Sequence, residues 1–301
     1  METRDPAIEI RNLVCRYGRR EAVNGLNITV PPGLCYGFFG RNGAGKTTTI
    51  KCLLNLLAPA SGIVEVFGRD PRRHEVWVKE QVCYVPDTVA FYPWMTVSGA
   101  LEFLASFRRQ WNRDIEADLL DRFQLDRNQK AATLSKGQKT QLALIGAVCP
   151  EPEMLILDEP TSGLDPIVRR EFVETVIGAY LGSARERRTV FVSTHLISEF
   201  EGLIDAFTII EQGREILSLN ADEARQRFHR IRASFSRDVG SLTFPGALNV
   251  RQTGRELVVL ADGNGERILA SVRQARPAEV ESSALTLEEI FVAMGGTGRG
   301  E

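Results

Sequence analysis

Apolar residues recur along this chain with two distinct periods. Ile8-Glu9-Ile10 and Leu26-Asn27-Ile28-Thr29-Val30 alternate apolar and polar positions, the spacing of half-buried strands, with Tyr17-Gly18 between them. Leu34-Cys35-Tyr36-Gly37-Phe38-Phe39, Val82-Cys83-Tyr84-Val85, Met154-Leu155-Ile156-Leu157, Thr189-Val190-Phe191-Val192 and Ala206-Phe207-Thr208-Ile209-Ile210 are short, nearly continuous apolar runs. Such runs predict strands buried on both faces of a parallel sheet. A further strand is predicted over Gly62 to Phe67, after the turn Pro59-Ala60-Ser61. Thr48 to Leu57 reads as a helix that stops before Pro59.

From about Asp87 to Cys149 the period changes. Ala100, Phe103, Leu104, Phe107 and Trp111 recur at helical spacing, as do Ile115, Leu119, Leu120 and Phe123, which predicts an all-helical insertion. Strands alternating with helices imply a parallel sheet with helices on both faces. Past Gly213 the pattern changes again. Asn220 with Glu223 predicts a capping box opening a helix. Strands are predicted over Ile231 to Phe235, Leu248 to Val250 and Glu256 to Leu260, with a hairpin at Gly254. Helices follow over Arg267 to Arg273 and Thr286 to Met294, and Gly295 to Glu301 reads as a frayed tail. The expected division is an α/β domain over residues 1–218, with a helical subdomain at about 87–150, and a small α+β accessory domain over 219–301.

Composition adds exclusions. Apolar residues make up 43% of the 301 positions and charged residues 25%, with a net charge of −2, so no global basic field argues for a nucleic-acid partner. Cys15, Cys35, Cys52, Cys83 and Cys149 lack metal-ligand spacing and read as buried free thiols. The charged start Met1-Glu2-Thr3-Arg4-Asp5-Pro6 lacks the apolar core of a signal peptide, and no run approaches the ~18 apolar residues of a membrane helix. Work at a membrane would need another chain to supply the span.

The chemistry begins at Gly40-Arg41-Asn42-Gly43-Ala44-Gly45-Lys46-Thr47, a G-x-x-x-x-G-K-[ST] phosphate loop lying between a predicted strand and a predicted helix. Its glycines let backbone wrap around phosphate oxygens, and its N–H groups and the helix N-terminus face the anion. Lys46 is expected to sit on the outer phosphates and the Thr47 hydroxyl to hold Mg²⁺. Asp158 and Glu159 end the run Met154 to Leu157, at the carboxyl edge of a parallel strand where ligands bind. Asp158 is the expected Mg²⁺ carboxylate, and Glu159 the group that orients or deprotonates water. Ser135 and Gln138 form a capping box, a sufficient local reason for those residues, yet a capped helix N-terminus is also an anion site and Lys136 adds a charge there. Ser162-Gly163-Leu164-Asp165 follows the acidic pair, and His195 follows an apolar strand as Glu159 does.

In that order, these elements resemble the ATP-binding cassette (ABC) ATPases, over roughly residues 7 to 213. The resemblance implies an α/β P-loop NTPase fold with a RecA-like mixed, mainly parallel sheet, ATP and Mg²⁺ as ligands, and ATP hydrolysis. It implies a nucleotide-binding set of Tyr17, stacking on adenine, and Gly40 through Thr48. It implies Glu159 and His195 as the hydrolytic pair. Ser135, Gly137, Gln138 and Asp165 would contact nucleotide across the seam of a head-to-tail dimer, a homodimer or a pair with a paralogue. Two positions depart from the family pattern. Asp87 stands where the family has a glutamine that touches Mg²⁺ and links to the membrane partner, and remains a further candidate Mg²⁺ ligand with a shorter reach and no N–H donor. Lys136-Gly137 stands where the signature has its usual glycine pair. Phe91-Tyr92-Pro93-Trp94-Met95-Thr96-Val97 and the closing Leu287 to Met294 resemble the ATPase subunits of ABC-2-type exporters. That implies an integral membrane permease as partner and a peripheral place at the cytoplasmic face of the membrane. A soluble cassette ATPase without a transport role is the alternative.

Overall fold

A computed structural model describes residues 5–162, 164, 169, 173, 180 and 188–296. The chain forms two compact units, one of residues up to 195 plus 202–218, the other of residues 196–201 plus 219 onward.

In the first unit, β1 (Ile8–Tyr17) lies between β2 (Arg20–Val30) and β4 (Ser61–Val66), paired antiparallel with both. β1 and β2 run well beyond the alternating stretches. Register shifts follow Ile10 and Leu13, and Asn12 has φ 49°, so bulges interrupt the period-two pattern within a continuous strand. The second sheet has the order β5-β6-β7-β3-β8-β9, from β5 (Val82–Val85), β6 (Met154–Asp158), β7 (Thr189–Thr194), β3 (Cys35–Gly40), β8 (Ala206–Glu211) and β9 (Arg214–Asn220). The pairs from β5 through β8 are parallel. Every residue of β3, β6 and β7 is buried, which is why these strands read as unbroken apolar runs. Phe191 lies 5.9 Å from Tyr36 and 5.3 Å from Phe38, centroid to centroid, each pair contributing about 1 kcal/mol beyond burial.

α1 (Lys46–Leu53) ends four residues before the expected Leu57. Asn55 enters the left-handed region at φ 55°, and the N–H groups of Leu56 and Leu57 both donate to Lys51 O, at 2.8 and 3.1 Å. α2 (Glu75–Gln81) was not legible, because seven residues barely complete two turns; it is held by a Glu75–Lys79 ion pair and by Arg69 over the Trp77 ring at 3.9 Å. β9 was also unforeseen; Gln212 and Gly213, both at positive φ, turn the chain from β8 into it.

The stretch expected to be helical carries α3 (Val97–Ala105), α4 (Arg113–Arg122) and α5 (Lys136–Val148). Thr96 caps α3 and Asn112 caps α4 through their side-chain oxygens. Glu116 of α4 is buried, yet its carboxylate accepts from Trp111 Nε1 at 2.6 Å, Arg113 Nη1 at 2.7 Å and Arg127 Nη1 at 3.0 Å.

The second unit holds α6 (Ala221–Arg227), β10 (Phe228–Ser234), β11 (Ala247–Thr253), β12 (Glu256–Asp262), α7 (Gly265–Gln274), β13 (Glu279–Ala284) and α8 (Leu287–Gly296). Its antiparallel sheet has the order β11-β12-β10-β13, around a core of Ile231, Ala233, Phe235, Leu257, Val259, Ala261, Ile268 and Val272. Two local expectations change. Asn220 precedes α6 but makes no side-chain cap bond. The reciprocal bonds form instead at α8, where Glu289 N donates to Thr286 Oγ1 at 3.1 Å and Thr286 N donates to Glu289 Oε2 at 3.0 Å. β13 has no apolar signature in the sequence, because Glu279-Val280-Glu281-Ser282-Ser283-Ala284 is a mostly exposed edge strand.

Candidate active site

The phosphate loop leaves β3 at Gly40 and enters α1 at Lys46. Gly45 precedes the helix at φ 111°, and a Cβ there would stand 2.5 Å from Ala22 O. A Cβ on Gly40 would stand 2.8 Å from Ile210 O. These glycines therefore admit the close approach of neighbouring backbone. Lys46 is buried; its Nζ donates to Gly40 O at 2.6 Å and pairs with Glu159 Oε1 at 3.0 Å as an ion pair. A cleft of about 400 Å³ is lined by Tyr17, Arg20, Ala22, Arg41, Asn42, Gly43, Gly45, Lys46, Thr47, Thr48, Asp87 and Glu159. Gly40 and Ala44 are buried and do not line it.

The two carboxylates stand where β6 ends. Asp158 pairs in register with Ser193 of β7, whose Oγ donates to Asp158 Oδ1 at 2.9 Å, while Thr47 Oγ1 donates to Asp158 Oδ2 at 2.8 Å. Complete burial pushes the Asp158 carboxyl above its ordinary value; the Thr47 and Ser193 hydroxyls oppose this, the Glu159 charge adds to it and Lys46 opposes it. Tyr84 OH lies 3.5 Å from Asp158 Oδ2. Burial, followed by the Asp158 charge, pushes that phenol well above its ordinary value.

Glu159 turns out of the strand at φ 49°, unusual for a side chain larger than glycine, and its N–H donates to Ser193 O at 2.7 Å. Its Oε2 lies 2.8 Å from His195 Nδ1, and accepts from Thr194 Oγ1 at 3.2 Å and from His195 N at 3.3 Å. The structure thus gathers Lys46, Thr47, Asp158, Glu159 and His195 at one sheet edge, as expected of residues following adjacent parallel strands. Ser193, Thr194, Tyr84 and Arg20 join them without having been singled out. Their only sequence signal is position: beside a strand end or beside Tyr17.

Ser135, Gly137 and Gln138 sit elsewhere, at the N-terminus of α5, and do not line the cleft. The capping box forms: Gln138 N donates to Ser135 Oγ at 3.2 Å, and Ser135 N donates to Gln138 Oε1 at 3.0 Å. A Cβ on Gly137 would meet Leu164 Cδ2 at 2.6 Å. Lys136 Nζ reaches Ser162 Oγ at 3.4 Å and Asp87 Oδ1 at 3.6 Å. The two positions that depart from the family pattern therefore carry opposite charges facing each other. Asp165 and Gly163 lie outside the described residues.

Residues 23–162 match the family described as ABC transporter. The bacitracin transport ATP-binding protein BcrA of Bacillus licheniformis is 35% identical over 223 residues, covering 73% of this chain and 72% of that protein. The Nod factor export ATP-binding protein I of Burkholderia lata is 32% identical over 308 residues, 96% of this chain and 97% of that one. A solved ATP-binding subunit of an ABC transporter superposes with a TM-score of 0.63 at 28% identity, covering 73% of this chain and 92% of that chain. With its phosphate loop, acidic strand end and histidine gathered at one sheet edge, this chain belongs to the ABC transporter family as an ATP-binding and ATP-hydrolysing subunit that drives transport.

Proposed function

We propose that this chain powers export through a separate membrane permease, working as a homodimer, or with a paralogue, at the cytoplasmic face of the membrane. The observation that carries the catalytic part is the Glu159 carboxylate, held between Lys46 at 3.0 Å and His195 Nδ1 at 2.8 Å at the end of β6. In this reading the Gly40–Thr48 backbone and Lys46 cradle the phosphates of ATP, and Tyr17, half exposed at the cleft wall, stacks on the base. Glu159 takes a proton from the attacking water as its oxygen bonds to the γ-phosphorus and the bond from that phosphorus to the ADP oxygen breaks. His195 orients the carboxylate and the γ-phosphate.

Mg²⁺ fits the donors present. The Thr47 hydroxyl and Asp158 carboxylate are hard oxygens 2.8 Å apart, the donor type that Mg²⁺ takes. Thr47 and Asp158 would hold it, with Asp87 at the cleft wall as a further candidate. Bound there, it would neutralise charge on the β- and γ-phosphates.

Ser135, Gly137, Gln138 and Asp165 are assigned to the ATP of the opposing subunit, consistent with the first three lying away from their own cleft. Residues 1–218 are assigned the ATPase role and 219–301 an accessory one. The permease contact is assigned to an exposed aromatic ladder: Tyr92 stacks on Trp94 at 4.7 Å and meets Phe103 at 6.2 Å, and Phe103 meets Phe107 at 5.0 Å. Trp94 and Phe107 are 69% and 70% exposed, an apolar surface of the kind that marks an interaction site. Among the described residues no helix is long and apolar enough to cross a membrane, and the span is assigned to the permease. Export is the direction named for the Nod factor relative.

The test is Glu159→Gln. ATP turnover is expected to fall by at least about a hundred-fold while ATP still binds, because the amide cannot accept the proton. Turnover at the wild-type rate would remove Glu159 as the base.

A further inference from the structure

Asp158 ends β6 and Glu159 follows it directly, and two consecutive hydroxyls, Ser193 and Thr194, end the neighbouring strand β7. In a parallel ladder, residues in register stand side by side on one face, and the Asp158–Ser193 pair is the last of this one, Glu159 turning out of it at φ 49°. Asp158 is in register with Ser193, and each carboxylate receives one hydroxyl: Asp158 from Ser193 at 2.9 Å, Glu159 from Thr194 at 3.2 Å. We propose that Thr194 is a positioning residue for hydrolysis, its hydroxyl fixing the orientation of the Glu159 carboxylate. This inference rests on Glu159 being the base.

The groups gathered on Glu159 differ in how firmly they are held. Lys46 Nζ is shared between Gly40 O and Glu159 Oε1, and the His195 side chain is 38% exposed. Thr194 is completely buried inside a core strand, and its β-branched side chain is stiff about χ1. Its hydroxyl is therefore a fixed point, already ordered before any ligand arrives. Glu159 needs one. Its backbone is pinned by the 2.7 Å bond from its own N–H to Ser193 O in a left-handed turn, but its side-chain torsions remain to be set. The Thr194 bond acts on Oε2, the same oxygen that faces His195, and so leaves Oε1 on the Lys46 side. A carboxylate held at the wrong angle to the attacking water loses rate without losing nucleotide, since the cleft residues that grip phosphate belong to the loop and α1.

A merely structural threonine predicts something different: a buried hydroxyl satisfied by any acceptor, whose loss lowers stability and leaves turnover per folded molecule unchanged. Thr194→Val removes the hydroxyl and keeps the shape. Full-length protein carrying T194V, T194S, E159Q or E159Q with T194V is assayed for steady-state ATP hydrolysis and melted thermally. The expected result is a fall in kcat of about ten-fold for T194V with KM for ATP within about two-fold, T194S retaining at least about half of wild-type kcat, and T194V adding nothing to E159Q. Wild-type kcat in T194V, an equal loss in T194S, or a further about ten-fold loss on top of E159Q would each overturn the proposal. If T194V gives no cooperative melt, T194A takes its place with the same thresholds. An active E159Q brings down the reading of Glu159 as the base; an inactive E159Q beside a fully active T194V brings down only the role of Thr194.

Discussion

Gly45→Ala is the perturbation whose cost can be worked from the backbone alone. Gly45 stands at φ 111°, and a Cβ there would lie 2.5 Å from Ala22 O, 3.4 Å from Val23 Cγ2 and 3.5 Å from Gly213 Cα. The conformation costs an L-residue about 1–2 kcal/mol. The contact with Ala22 O falls on strand backbone rather than on the end of a flexible side chain, so relieving it displaces the phosphate loop or β2, an overpacking cost of about 1–3 kcal/mol. The sum is about 2–5 kcal/mol, or roughly 4–20 °C in Tm at the usual 2–4 °C per kcal/mol for a domain of this size. Gly18→Ala is the control: φ is also positive, at 60°, but nothing lies within 4 Å of the added Cβ, so only about 1 kcal/mol of strain is expected. Thermal melts followed by circular dichroism, with ADP titrations by calorimetry, separate the two. G45A should melt well below G18A and bind ADP at least about ten-fold more weakly, a loss of 1.4 kcal/mol or more. If G45A and G18A melt together and bind ADP equally, the close approach of the loop to β2 does not govern the site.

Two further outcomes are expected. Burial raises the Glu116 carboxyl, but hydrogen bonds from Trp111, Arg127 and Arg113 overcome it and hold the group below its ordinary value of 4.5. A depressed folded value means that Glu116 contributes stability above the unfolded value and loses it as pH falls through the folded one, so the stability gap between wild type and Glu116→Gln should narrow below about pH 4.5 in urea unfolding at stepped pH; a gap that widens on acidification refutes the pairing. Lys136 and Asp87 are about half exposed, at 51% and 46%, so their 3.6 Å pair should show a double-mutant coupling of only about 0–1 kcal/mol, disappearing in high salt; a salt-independent coupling above about 1.5 kcal/mol would show a desolvated latch instead.

The loop Gly40 to Thr47, the carboxylates Asp158 and Glu159, and the Ser135–Gln138 capping box were legible from sequence because each is contiguous: the residues that act together are neighbours in the chain. The buried parallel strands were legible too, since a strand covered on both faces must be apolar throughout. What tertiary structure alone decided involves partners far apart in sequence or the exact turn of the backbone. β6 and β7 meet in a register that sets Ser193 beside Asp158 and brings Thr194 to Glu159, 35 residues apart. Lys136 faces Asp87 only because α5 begins beside the end of β5. α1 stops at Leu53 although apolar residues continue, because Asn55 turns left-handed, and β1 passes through bulges that hide its period. Sequence determined which functional groups this protein carries; packing and register determined which carboxylate each hydroxyl and cation holds, because hydrogen bonds act over about 3 Å and only the folded sheet brings distant residues that close.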